Sequence, residues 1–194
     1  MRRAREFRKN KSGAAAVEFA LILPLMIMMF FGVVELSMAL SCRADVSVMA
    51  STAADLISQE STATNTDLSN VYSAAGTILY PYYDPSVTGA PKPSIRITSV
   101  IYDTTTNSTT AGKVSWTCAQ SGNGTLSPVT RNVGDTVTLP QALLTSGGSV
   151  IIAEVAYNYS SPTTQIISGP INMTNNFWTK PRRVAQITAP TSCT

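Results

Sequence analysis

The sequence predicts an α+β fold: a long N-terminal membrane helix continuing into a domain with a second helix and an antiparallel sheet of four or five strands. Three observations carry this prediction. An apolar stretch near the N-terminus runs on into a helical repeat without interruption. A short second helical pattern follows it. Period-two patterns then begin after Pro93, so helices and strands are segregated along the chain rather than alternating.

The first helix starts from "FALILPLMIMMFFGVV", Phe19 to Val34, which carries no charge. With Ala14 to Val17 and Leu36 to Leu40 the apolar region reaches about 27 residues, beyond the ~20 that a hydrocarbon layer requires. A soluble core helix is the competing reading; the length and a basic flank stand against it. Pro24 removes a backbone donor and crowds the carbonyl of Ala20, which predicts a kink. Past the span, Val46, Met49, Ala53 and Leu56 or Ile57 recur at helical spacing, and neither Gly nor Pro interrupts Val33 to Gln59. One helix is therefore predicted from about Ala14 to Gln59, its far half offering an apolar stripe to a domain. The alternative is a break near Cys42 and a separate amphipathic helix.

Charge is distributed unevenly. The formal net charge is +3, yet the first thirteen residues alone carry +5 and the remainder −2. Positive charge directly before an apolar run is retained in the cytoplasm, so the chain beyond about residue 43 is expected on the far side of the membrane. A nucleic-acid surface needs basic residues spread with aromatics over a folded face. The basicity here belongs to a tail, and no nucleic-acid partner is expected.

The second helix is predicted after the polar connector "ESTATNT", with Thr66 as its cap, Asp67 in its first turn, and Leu68, Val71, Ala75, Ile78 and Leu79 on its apolar face. "YPYYDP", Tyr80 to Pro85, ends it. Strands are predicted over Ser94–Asp103, Lys113–Gln120, Ser149–Ser160, Ile171–Trp178 and Arg183–Ala189. In the first, Ile95, Ile97 and Ser99 share a face; in the second, Val114, Trp116 and Cys118 do. Leu139 to Ser149 reads as a short helical turn ending at Gly147 and Gly148.

Little in the exported part suggests catalysis. The chain has no histidine, which excludes Ser-His-Asp and Cys-His nucleophilic sites. No phosphate loop is present, and Asp84, Asp103, Asp135 and Glu154 are scattered rather than paired. No enzyme activity, metal site or cofactor is expected. Of the three cysteines, Cys42 closes the apolar run, while Cys118 and Cys193 fall where a disulfide is chemically permitted. A Cys118–Cys193 bridge and three unlinked thiols both stay open, because sequence does not give their separation.

The junction "SGAAAVEF" carries the one specific motif. A basic leader stops at Gly13; small and apolar residues follow, then Glu18, Phe19 and the apolar helix. This resembles the processing site of type IV prepilins, and "GAAAVEFALILPL" with "FFGVVEL" resembles more closely the TadE-like (TadE/TadG family) segment of Tad, or Flp-type, pilus assembly proteins. The resemblance covers about residues 11 to 59; beyond it the likeness is one of architecture, a pilin-like order of helix then sheet. It implies a minor pilin or pseudopilin, cut between Gly13 and Ala14 by a prepilin peptidase, with Glu18 and Phe19 recognised in processing and assembly. The implied partners are the inner membrane, the peptidase, other pilin or pseudopilin subunits and the Tad machinery.

That resemblance divides the chain into a basic cytoplasmic leader at 1–13, a transmembrane helix at 14–42, and a periplasmic or extracellular domain at 43–194. Cutting after Gly13 removes the +5 leader and leaves Glu18 one helical turn from a new ammonium, which favours the acid. Otherwise Glu18 snorkels to water. Glu35 has two readings as well: an interfacial acid at the outer end of the span, or a helix-packing acid that pairs with another subunit. A different class of protein is also compatible with the sequence: an envelope lipoprotein in which "ALSC", Ala39 to Cys42, serves as a loose lipid-attachment site.

Overall fold

The computed structural model describes residues 12–193 apart from 106–107 and 141–142. The leader up to Lys11 lies outside these residues. Helix α1 spans Ser12–Ser58 as one unbroken element of 47 residues, with Pro24 inside it. Helix α2 covers Asn65–Gly76, and a 3-10 turn, Thr77–Leu79, follows directly. The strands are β1 (Ser94–Tyr102), β2 (Ala111–Gln120), β3 (Thr136–Thr138), β4 (Ser149–Tyr159) and β5 (Ile171–Thr179). They form one antiparallel sheet in the order β3-β2-β1-β4-β5.

The chain divides into two units. One holds the N-terminal part of α1, up to Ala39, with Ser161–Gly169; the other holds Leu40–Ser160 and Pro170–Thr194. In the first, the apolar residues of α1 face outward: Leu21, Leu25, Met28, Met29 and Phe30 are all more than half exposed. Such a surface is far too apolar for water, and the helix is long and apolar enough to cross a membrane.

In the second unit, the rest of α1 buries Cys42, Val46, Met49, Ala50, Ala53, Ala54 and Ile57, the stripe that the spacing predicts. Helix α2 is capped by Thr64 rather than Thr66. The Thr64 hydroxyl accepts from the amide of Asp67 (3.1 Å), and the Asp67 carboxylate accepts from the amide (3.0 Å) and hydroxyl (2.6 Å) of Thr64. Thr64 wins because an acid three residues on closes a reciprocal box, which Thr66 lacks. These bonds, the hydroxyl first, hold Asp67 below its ordinary value of 3.8.

The sheet departs from the predicted pattern in three places. Ser99 lies opposite Trp116 but Val100 lies opposite Val114, so β2 carries one extra residue, Ser115. Neighbours on β1 point to opposite faces, and Val114 therefore sits on the face opposite Trp116 and Cys118. It packs there with Val100, Val137, Leu139, Leu144, Val150 and Ile152. Gly112 belongs to that face too: a Cβ on it would lie 2.7 Å from both Val100 and Leu144 side chains.

The second departure is Arg183–Ala189, which is not a strand. Its carbonyls act as separate anchors: Ala185 O accepts from Ser149 N (3.0 Å), Ile187 O from Trp116 Nε1 (3.0 Å), and Thr188 O from Ala63 N (3.2 Å). Only Thr188 forms a bridge, to Thr62. Alternation alone does not make a strand: a strand also needs a continuous ladder, and this segment's bonds go to three separate elements. The third departure is β3, a three-residue edge strand that no sequence pattern announced. The described part of Leu139–Ser149 contains a turn at Ser146 and Gly147, with no helix.

Candidate functional site

Gly13, Ala14, Glu18 and Phe19, the residues of the expected processing junction, all lie on α1. All four are exposed, and a Cβ on Gly13 would meet nothing within 4 Å. Among the described residues Glu18 makes no hydrogen bond or ion pair, so its carboxylate is available to a group outside this chain. Around the Gly13–Ala14 bond the residues are small, helical and exposed.

Glu35 is the opposite case. It is fully buried, and segment 161–169 closes over it. Oε1 accepts from the hydroxyl of Thr163 and from the amide of Gln165 (2.8 Å); Oε2 accepts from the amides of Ile166 (3.1 Å) and Ile167 (2.7 Å). Thr164 has φ 50°, a left-handed turn uncommon for a β-branched residue. That turn precedes the three amides that converge on the acid, an anion-binding concavity made of backbone. The segment "SPTTQIISG" shows no helix or strand period, and its partner is some 130 residues away in the chain, so nothing in the sequence links them.

Sequence reasoning also passed over an ionic cluster in the sheet. Arg96 on β1 lies directly opposite Glu154 on β4. Arg96 Nε meets Glu154 Oε2 at 2.6 Å, and Arg131 Nη2 meets Oε1 at 2.5 Å. The remaining nitrogens of Arg96 donate to the carbonyls of Pro128 (2.6 Å) and Val129 (3.1 Å). Both carboxylate oxygens and all three Arg96 nitrogens are answered, which makes the cluster structural. Three further acids are spent on turns: Asp84 on Ser86, Asp135 on Asn132, Asp103 on Thr105 with Lys113 at 3.4 Å. Among the described residues no three His, Cys, Asp or Glu gather as a metal-holding group.

Cys118 and Cys193 form a disulfide with a Cα separation of 5.2 Å, within the usual range for a bridge. Beside it, Asn65, Leu68, Tyr72, Thr117 and Ser192 line a mainly polar cleft of about 420 Å³. Cys42 is buried and lies within the turns of α1.

Together these features define a class: a chain with an exposed, membrane-length N-terminal helix followed by an α+β domain built on an antiparallel sheet, the order found in pilin-like proteins. Residues 13–55 match the family model described as TadE-like protein. The chain thus carries a TadE-like segment, which associates it with the Tad pilus. The match covers less than a quarter of the sequence and holds Gly13, Glu18, Phe19, Glu35 and Cys42. No curated protein and no solved structure matches the chain.

Proposed function

We propose that this protein is a minor pilin or pseudopilin of Tad (Flp-type) pilus assembly, processed by a prepilin peptidase between Gly13 and Ala14. It acts through helix and domain contacts and performs no chemistry of its own. The observation that carries this reading is the TadE-like segment at 13–55, which opens on an exposed Gly13 and an uncommitted Glu18. The basic tail argues for an N-in orientation in the inner membrane, with residues 43–194 in the periplasm or incorporated in the fibre.

Processing would change the electrostatics of the helix start. Loss of the leader removes its +5 charge and creates an ammonium at Ala14. Glu18 lies four residues on, one turn of helix from that site. In a low-dielectric layer an unpaired acid is costly, so an ammonium, of this subunit or of a neighbour, becomes its natural partner. Phe19 supplies the apolar contact next to it.

Mass spectrometry of the mature N-terminus tests the reading. A chain beginning at Ala14 is the expected result, and Gly13→Ala should leave the leader attached. Glu18→Ala should block assembly while the exported domain stays folded. An acylated Cys42 would overturn the proposal in favour of a lipoprotein, and normal piliation in both variants would count against it equally.

A further inference from the structure

Segment 161–169 joins β4 to β5 in the chain, yet it associates with the N-terminal part of α1. Its tip lies beside the apolar run. A Cβ on Gly32 would lie 3.9 Å from Cγ1 of Ile166. Gly32 stands three residues before Glu35, about 4.5 Å of helix rise further into the uncharged stretch. Ile166 and Gln165 also share an apolar cleft of about 430 Å³ with Pro24, Ile27, Met28 and Phe31. Half of the surface of Ile166 is exposed, on a level with helix residues that are themselves exposed and apolar.

We propose that segment 161–169 is a re-entrant hook that enters the membrane beside α1, with Ile166 in the acyl chains and lipid filling the cleft. Irregular backbone at membrane depth needs its polar groups satisfied within the protein. Glu35 meets that need for three N–H groups of the segment, accepting from the backbone amides of Gln165, Ile166 and Ile167 as well as from the Thr163 hydroxyl. The Gln165 side chain turns back, its Nε2 donating to the carbonyl of Thr163 at 3.2 Å. An acid that looks misplaced at the end of a span is then the solvent substitute for a loop. Lipid is the occupant that fits, because the cleft walls belong to the same surface that the span presents to hydrocarbon. The proposal rests on the reading that α1 crosses a membrane.

A fluorophore depth measurement on the full chain tests both. Ile166→Cys, Ile27→Cys and Val133→Cys are each labelled with an environment-sensitive dye, with Cys42 buried and Cys118–Cys193 bridged. The proteins are placed in phosphatidylethanolamine–phosphatidylglycerol vesicles containing acyl-chain spin-labelled lipid. The expected result is quenching at 166 as at 27, with 133 unquenched. Adding Glu35→Ala should abolish quenching at 166 and leave it at 27. A solvent-like signal at 166 with quenching at 27 overturns the hook while the span stands. Absence of quenching at both overturns the span with it. A label at 166 shielded from aqueous iodide yet untouched by the spin-labelled lipid gives the cleft to a second copy of the chain, and overturns the proposal too.

Discussion

Two buried carboxylates, Glu154 in the sheet and Glu35 on α1, are neutralised by different means. Glu154 is met by two guanidiniums, with their spare donors placed on carbonyls. Glu35 is met by a hydroxyl and three backbone amides, with no cation in reach of its oxygens among the described residues. In the first case charge answers charge, and side chains from β1, β4 and the Arg131 segment are tied at one point. In the second, dipoles of one short segment replace water around an anion. The difference predicts how each site fails: the sheet cluster should fail globally, and the helix site locally.

The largest effect is expected at the sheet. Glu154→Ala leaves two guanidiniums without their acid, that of Arg96 buried, and should destabilise the domain by about 3–5 kcal/mol. Urea unfolding of the full chain in detergent, followed by tryptophan fluorescence, measures this; a shift no larger than that of a surface substitution would remove the contrast. A smaller effect is expected at the α2 cap. Thr64→Ala should cost about 1 kcal/mol. Asp67 sharpens it through pH: its folded value is depressed, so its contribution is present above about 3.8 and fades as pH falls through the folded value. The stability gap between the parent and Asp67→Asn should therefore narrow on acidification. The smallest global effect is expected from Glu35→Ala. The unfolding midpoint of the sheet should stay unchanged, while hydrogen exchange of the Gln165, Ile166 and Ile167 amides accelerates. A matching loss of global stability would mean that the two acids do the same job.

The parts of this molecule legible in its sequence are those governed by local period. Helix α1 follows from apolar spacing without Gly or Pro after Val33, and β1, β2, β4 and β5 follow from alternation bounded by turn residues. Local competition explains the Thr64 cap, which a search for an acid three residues after each threonine would have found. What remained hidden depends on distant pairing. Arg96 meets Glu154 across 58 residues, and Glu35 meets Gln165 across 130. Arg183–Ala189 alternates like a strand yet makes single bonds to separate elements, to Ser149, Trp116 and Ala63. The junction at Gly13 to Phe19 was legible because its resemblance is carried by contiguous residues, and the TadE-like match begins there, at residue 13.

Ser115 has a consequence that reaches across the whole sheet. Because β2 holds one residue more than β1 there, the strand changes sides midway. Gly112 and Val114 close the core around Val100 and Val150, whereas Trp116 and Cys118 close the opposite one, with Ile187 O, Tyr72 and the disulfide. A sequence that looks like one continuous stripe thus furnishes two cores back to back. Remove that single residue and every inward side chain on one half of β2 changes its allegiance.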